Sequence, residues 1–224
     1  MRLILYHHPL CPFSRQIRLI LREKNLEFEL IQENYWERRP EFAKLSPAAE
    51  VPVLVDELHN IIIADVAAIY EYLEEVYPEK ILLGFSVKIK SEARRITNWF
   101  NNKFYREVSR YLINEKIIRF YSGDGEPNSS HVRAAKTNIY YHLDYIGFLL
   151  NSHKWLAAEE LTIADFAAAS HLSVLDYLGD VPWDHNIRAK EWYALIKSRP
   201  SFRPLLADRI SGYLPNPSYV DLDF

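Results

Sequence analysis

Two residue types are scarce in this sequence, cysteine and glycine. Cys11 is the single cysteine among 224 residues, so no disulfide can form within the chain. A lone cysteine is typical of a reducing compartment, and we expect the protein to be cytoplasmic. The six glycines, set against 14% aromatic residues, argue against a turn-rich all-β fold and favour packed helices.

The sequence also lacks an excess of positive charge. Its 27 lysines and arginines face 30 aspartates and glutamates, a formal charge of −3. Nothing in this balance favours nucleic acid or an anionic membrane surface as a partner. No apolar run approaches the roughly 18 residues of a membrane span, and the apolar run at the N-terminus is too short for a signal peptide. We therefore expect no membrane insertion.

Metal-ligand spacing and a glycine-rich phosphate loop are missing as well. His7 and His8 adjoin at the end of a predicted strand, so their side chains should point to opposite faces. The remaining histidines show no metal spacing with one another. We predict no metal site and no phosphate loop.

The first third of the chain alternates strand and helix patterns. Short apolar runs at 3–6, 28–31, 53–55 and 61–63 predict strands, and the last two flank a polar turn typical of a hairpin. Apolar residues at helical spacing follow Cys11, and a second helix ends before Pro78. The order is β-α-β, a loop, then β-β-α. We predict an α/β domain over residues 1–78.

The remainder of the chain is helical in character. After a linker at 79–87, a long amphipathic stretch covers 88–120. Further helices are predicted at 131–151, 163–178 and 187–198, with a short one near 202–209. This second domain, all-α, covers 88–210, and a proline-containing tail at 211–224 should be extended and non-helical. The fold class is thus α/β plus all-α.

One helix start in the second domain is particularly clear. Thr162 stands at the N-cap position, and Asp165 follows three residues later. Each side chain can accept a hydrogen bond from a backbone amide of the first turn, which is the capping-box arrangement. We predict that Asp165 caps a core helix and has no catalytic role.

The stretch HHPLCPFSR, residues 7–15, has the form of a redox or nucleophilic motif. A thiolate at the N-terminus of a helix is favoured by the helix dipole and by free backbone amides, which lower its pKa. Cys11 has that position, and Ser14 replaces the second cysteine of a Cys-x-x-Cys motif. Such a site can form a mixed disulfide but no internal one. Ser14 could equally hydrogen-bond within the first turn. On the first helix, Arg15, Arg18 and Arg22 occupy the face opposite the apolar residues.

Four segments in order resemble the cytosolic glutathione S-transferase superfamily: the Cys11 motif, EVPVL at 50–54, ADVAAIYEYL at 64–73 and LTIADFAAASHL at 161–172. The resemblance implies a thioredoxin-like N-terminal domain and a helical transferase-type C-terminal domain. It implies a cis bond before Pro52, glutathione paired with the backbone of Val51, and Cys11 or Ser14 beside the glutathione sulfur. It places the γ-glutamyl group at Asp65 and Val66, where the family has an acidic residue and a serine. Val66 lacks that hydroxyl, so any glutathione site is expected to be weakened.

Further segments resemble the FzlA-type, FtsZ-binding division proteins of alphaproteobacteria, which share the transferase fold. These are YWERRPEF at 35–42, NWFNNKFYREVSR at 98–110, HLSVLDYLGDVPW at 171–183, KSRPSFRPLLADRISG at 197–212 and the terminal YVDLDF. The resemblance implies FtsZ, the bacterial tubulin homologue, as partner, and a homodimer. It makes these residues candidates for protein binding: Trp36, Arg38, Arg39, Glu115, Asp221 and Phe224.

Two hypotheses about function are consistent with the sequence. The first is a cell-division protein that binds FtsZ filaments and promotes constriction, without a cofactor. The second is a glutathione S-transferase, or glutathione-dependent thiol transferase, that uses Cys11 or Ser14. Trp36 supports the first where it is exposed, because tryptophan and arginine are enriched in interface hot spots. It has the alternative role of covering the boundary between the domains.

Overall fold

The computed structural model describes residues 2–222, and its first part is a four-stranded mixed sheet with helices. The strands are β1 (Leu3–His7), β2 (Phe28–Gln32), β3 (Val53–Asp56) and β4 (Ile61–Ala64), in the spatial order β2-β1-β3-β4. β1 pairs with β2 in parallel and with β3 antiparallel, and β3 and β4 form the expected hairpin. The helices of this part are α1 (Pro12–Glu23), α2 (Pro40–Ala43) and α3 (Val66–Val76).

The second part is helical and begins with one long rod. α4 (Val87–Asn98) continues into a π-helical segment (Trp99–Ser109), α5 (Arg110–Ile113), a second π-helical segment (Asn114–Ile118) and α6 (Arg119–Ser122). The remaining helices are α7 (Ser129–Leu149), α8 (Ile163–Tyr177), α9 (Ile187–Lys197) and α10 (Arg203–Leu206). The rod follows the amphipathic pattern predicted for 88–120. The helix expected near 202–209 is only four residues long.

The capping box at the start of α8 is confirmed. Thr162 Oγ1 accepts from the amide of Ala164 at 3.3 Å, and Asp165 Oδ2 accepts from the amide of Thr162 at 2.9 Å. Asp165 also accepts from Trp192 Nε1 at 3.0 Å. Every residue of α8 is buried, and α8 packs against α1, so this helix joins the sheet part to the helical part.

The arginines of α1 differ from the prediction. Arg15 and Arg18 are buried, and only Arg22 is exposed. Arg15 donates to Pro9 O at 2.6 Å and to Ser173 Oγ at 2.9 Å. Arg18 makes a bidentate pair with Asp208 at 2.7 and 2.8 Å. The polar face of α1 lies against the helical part instead of water, because that part supplies matching acceptors.

The tail is docked, in a form the sequence did not predict. Residues Pro217–Val220 form a 3-10 turn in place of an extended strand. Tyr219 is fully buried, donates to Leu205 O at 2.8 Å and lies against the guanidinium of Arg15. No helix within residues 2–222 combines the length and apolar character needed to cross a membrane.

Candidate functional site

A cleft of about 510 Å³ lies between the sheet part and the helical rod. One wall contains the start of α1, the loop before β3 and the start of α3, and the other wall is the rod around the junction of α4 and the π-helical segment. The fold brings together five of the residues predicted for a glutathione site: Cys11, Val51, Pro52, Asp65 and Val66. The bond between Val51 and Pro52 is cis, as the family resemblance implied.

Cys11 occupies the N-cap position of α1, where the sequence predicted a reactive thiol. The residue is buried, and its Sγ lies 3.6 Å from the carbonyl oxygen of Val51. Burial raises the pKa of the thiol, and nearby Glu50 adds to the rise. Hydrogen bonds with Ser14 and with the amide of Phe13 do not offset it. The structure therefore corrects the expected low pKa, because burial outweighs the helix terminus.

Ser14 does not line the cleft. It is fully buried, and its hydroxyl oxygen accepts from the amide of His8 at 3.3 Å. The side chain thus joins α1 to the end of β1. A hydroxyl in this position is not available to a ligand thiolate in the cleft.

Asp65 and Val66 form the start of α3 at the rim of the cleft. Asp65 is the N-cap residue, with a φ of 109°, and its Oδ1 accepts from the amides of Ala67 at 2.8 Å and Ala68 at 3.0 Å. Val66 presents a branched apolar side chain where the family has a serine. In the loop before Pro52, Ala49 takes the left-handed φ of 53° that the glycine common in the family adopts freely.

The charged side chains described in the lining of the cleft are both acidic. Glu50 and Asp65 are its charged lining residues, and both are exposed. Among the described residues that line it there is no lysine, arginine or histidine. Glutathione carries two carboxylates and one ammonium group at neutral pH, so this lining gives its carboxylates no cationic partner.

The opposite wall carries a stripe that sequence reasoning missed. Its members lie on the cleft face of α4 and the adjoining π-helical segment, and we call them the polar stripe: Thr97, Asn98, Asn101, Asn102 and Tyr105. Their spacing of three or four residues was the available signal, together with the three asparagines in NWFNN. Burial raises the pKa of Tyr105 to about 12, with smaller contributions from Cys11 and Glu50, so its hydroxyl is a donor at neutral pH.

Trp36 lies outside the cleft and is half-buried. Its ring stacks on Tyr121 at 5.6 Å and meets His8 edge-on at 4.9 Å. Tyr121 contacts Phe120, which in turn contacts Tyr213. We call Trp36, Phe120, Tyr121 and Tyr213 the aromatic ridge. Trp36 thus covers the boundary between the two parts and remains partly exposed to solvent.

Arg38 and Arg39 are exposed and follow Trp36 closely in the chain. Arg38 has a left-handed φ of 49° at the end of the short 3-10 turn Tyr35–Glu37. Arg39 pairs with Glu33, whose side chain is buried. The pair anchors the loop and leaves Arg38 available at the surface.

Glu115 is buried and forms no part of a solvated helix face. Its carboxylate accepts from the amide of Asn128 at 2.9 Å, from His131 Nδ1 at 2.8 Å and from Arg119 Nε at 2.9 Å. These bonds lower the pKa of Glu115, the largest contribution coming from the Asn128 amide. Glu115 therefore holds the start of α7 against the rod, and any effect on a partner would be indirect.

Of the two protein-binding candidates in the tail, the structure describes Asp221 only. Asp221 follows the 3-10 turn and is exposed. Its negative charge partly opposes the lowering of the Lys197 pKa that burial causes. Phe224 lies outside the described residues.

Comparison with known proteins places these features in a family context. Residues 5–80 match the family model of the glutathione S-transferase N-terminal domain. The chain is 47% identical over 222 residues to FtsZ-localized protein A of Caulobacter vibrioides (strain NA1000 / CB15N), covering 98% of this chain and 97% of that protein.

Two solved structures are similar over nearly their whole length. One is a glutathione S-transferase from Rhodospirillum rubrum F11, 49% identical with a TM-score of 0.96, covering 99% of this chain and all of that one. The other is FzlA from C. crescentus, 46% identical with a TM-score of 0.97 and full coverage of both chains.

Proposed function

The chain belongs to the family of FtsZ-localized protein A within the glutathione S-transferase fold, and from this premise we propose that it binds FtsZ filaments and promotes constriction without glutathione catalysis. The observation that carries the proposal is the 47% identity over 98% of the chain. We further propose that it acts in the cytoplasm, the expectation drawn from its single cysteine.

The chemistry of the cleft supports a non-catalytic role. Burial and Glu50 raise the pKa of Cys11, so the thiol is protonated and unreactive at neutral pH. Ser14 lies away from the cleft, and Val66 supplies no hydroxyl. With no cationic side chain among the described residues of the lining, the ligand carboxylates lose charge-assisted bonds worth about 1.5–3 kcal/mol each.

The aromatic ridge is the surface that we assign to FtsZ. Phe120 is 54% exposed, and Tyr121 is exposed at the same edge, where Trp36 stacks on it. Exposed aromatic side chains flanked by arginine are the composition of interface hot spots. Arg38 follows Trp36 by two residues and is exposed, so we expect it to add positive charge near the ridge.

Co-sedimentation with polymerised FtsZ tests this assignment. Trp36→Ala should weaken binding by about thirtyfold, the effect of losing a hot-spot aromatic. Phe120→Ala should weaken it with less effect on folding, because Phe120 does not pack across the boundary as Trp36 does. Phe85→Ala, at another strongly exposed aromatic, is the matched control. Binding by both ridge variants at the level of the control would refute the assignment.

We also propose that the protein is a two-fold homodimer, so that two copies of the ridge can bridge filaments by avidity. Large apolar side chains exposed on α7 support a partner surface, Tyr141 at 57% and Phe148 at 67% exposed. Light scattering on Tyr141→Glu/Phe148→Glu should give the monomer mass. A folded monomer that bundles FtsZ as well as the dimer does would contradict bridging.

The alternative function is a glutathione-dependent transferase. The observation in its favour is the cleft itself, where Cys11 lies beside the backbone of Val51 and the start of α3. Retention on glutathione resin and thiol-transfer turnover are the readouts. Strong retention, with turnover abolished in Cys11→Ser and no sedimentation with FtsZ, would establish the enzyme and end the scaffold proposal.

A further inference from the structure

The polar stripe contains hydrogen-bonding groups that have no partner among the described residues. Thr97 is 1% exposed, and its hydroxyl is buried beside the cleft without a hydrogen bond. The hydroxyl of Tyr105 makes none either. A buried polar group without a partner costs about 1–3 kcal/mol, so the unpaired hydroxyl of Thr97, on a residue that lines a cavity, calls for an explanation such as a bound group.

The asparagines of the stripe are oriented by their neighbours. Asn101 Oδ1 faces His171 Nε2 at 3.3 Å, and His171 Nδ1 faces Ser109 Oγ at 2.9 Å. Burial lowers the pKa of His171 to about 3, so the ring is neutral, and its Nε2 must carry the proton that Asn101 accepts. The amide nitrogen of Asn101 is left without a partner among residues 2–222.

Asn98 and Asn102 are paired with each other, Asn102 Nδ2 donating to Asn98 Oδ1. This leaves the amide nitrogen of Asn98 as a donor and the oxygen of Asn102 as an acceptor, neither bonded to another described residue. The stripe therefore offers two side-chain donors, on Asn98 and Asn101, and one side-chain acceptor, on Asn102, along one wall. A peptide main chain can pair with both kinds of group, because each residue carries one N–H and one C=O.

From this juxtaposition we propose that the cleft binds an extended peptide segment of the partner, held by its main chain on Asn98, Asn101 and Asn102 and carrying a lysine or arginine between Glu50 and Asp65. The acids supply the charge complement, because Asp65 uses only Oδ1 to cap α3 and Glu50 makes no ion pair within the described part of the chain. The inference rests on the proposed function in that the segment belongs to FtsZ.

The first experiment is co-sedimentation of asparagine variants with polymerised FtsZ. Asn98→Ala/Asn102→Ala leaves the contact with His171 intact and should weaken binding by about tenfold or more, since each neutral hydrogen bond is worth about three- to tenfold. Adding Asn101→Ala should weaken it further. Asn114→Ala, an exposed asparagine on the same rod but outside the cleft, should bind as the wild type does.

The second experiment needs no FtsZ. The side-chain amide signals of ¹⁵N-labelled protein are followed by NMR on titration with acetyl-Ala-Lys-Ala-Ala-amide, with the corresponding glutamate peptide and with glutathione. The lysine peptide should shift the signals of Asn98 and Asn101, and Glu50→Gln should weaken that response. The glutamate peptide and glutathione should shift them less.

The outcomes separate the two proposals. Wild-type protein that fails to sediment with FtsZ, while the lysine peptide shifts the asparagine signals, removes the proposed function and leaves the peptide site standing. Asparagine variants that sediment like the wild type overturn the peptide site alone. Equal shifts from the glutamate peptide or glutathione, or none from the lysine peptide, also overturn it.

Discussion

Two polar regions lie between the sheet part and the helical part, and they differ in how completely their groups are paired. Behind α1, Arg18 pairs with Asp208, and Glu23 accepts from Arg199 Nε at 3.1 Å and from Ser201 Oγ at 2.7 Å. We call this side the interdomain lock. In the cleft, by contrast, several groups of the polar stripe have no partner among the described residues.

The difference teaches which polar residues hold the fold and which are kept for a ligand. A buried charge without partners costs several kcal/mol, so the lock is stable only because nearly every group is paired. Unpaired groups facing a cavity reduce stability slightly and are useful only when a partner arrives. Substitutions in the lock should therefore lower stability, whereas substitutions in the polar stripe should weaken binding without lowering stability.

The largest effect is expected in the lock, from Arg15→Ala. The change removes donors to Pro9 and Ser173 and the cation that lies against Tyr177 and Tyr219. We expect a loss of about 3–5 kcal/mol in the free energy of unfolding, measured by urea denaturation. Arg22→Ala, on the exposed side of the same helix, should stay within about 1 kcal/mol. Equal losses in the two variants would mean that the lock contributes little.

A second effect on the lock depends on pH and involves Glu23. Burial alone raises the pKa of Glu23, but hydrogen bonds from Arg199, Lys80 and Ser201 outweigh it and lower the pKa from 4.5 to about 2. As the pH falls, Glu23 therefore binds a proton at a higher pH in the unfolded state than in the folded state. This part of the stability is present above pH 4.5 and is lost as pH falls towards about 2.

Urea denaturation across that pH range measures the loss. The free energy of unfolding should fall more steeply with decreasing pH in the wild type than in Glu23→Gln, which lacks the titrating group. Glu23→Gln should also be less stable at pH 7. Parallel curves for the two proteins would contradict the role given to Glu23.

Thr97→Val should have a smaller effect and the opposite sign. Valine keeps the shape of threonine and removes a buried hydroxyl that has no hydrogen bond. We expect the free energy of unfolding to rise by about 1 kcal/mol. Binding to FtsZ should weaken by about three- to tenfold in the same variant. A loss of stability would show that the hydroxyl belongs to the fold and not to a ligand site.

The smallest effect is expected from Ala49→Gly in the loop before Pro52. Ala49 has a φ of 53°, which glycine adopts without steric cost. Relief of this strain should exceed the added flexibility of the unfolded chain and stabilise the protein by about 0.5 kcal/mol, measured as a rise in Tm. Ala48→Gly, at a neighbour outside the left-handed region, should lower Tm.

Much of the fold could be predicted from local pattern. The hairpin β3–β4, the helix after Cys11 and the capping box of α8 each depend on residues a few positions apart, so the sequence predicts them. The cleft residues around Pro52 and Asp65 were found through family resemblance. The sequence does not predict the burial of Arg15 and leaves that of Trp36 open, because their burial depends on Ser173 and Tyr121, which are remote in the sequence.

The sequence by itself determined the order of strands and helices, the helix caps and the family, because these follow from spacing along the chain. Only the tertiary structure decided which polar groups are satisfied. Glu115 has three donors across the rod and α7, whereas Thr97 has none among residues 2–222, although both lie on one amphipathic helical rod. Hydrogen-bond pairing depends on what packs opposite each side chain, and no local pattern contains that information.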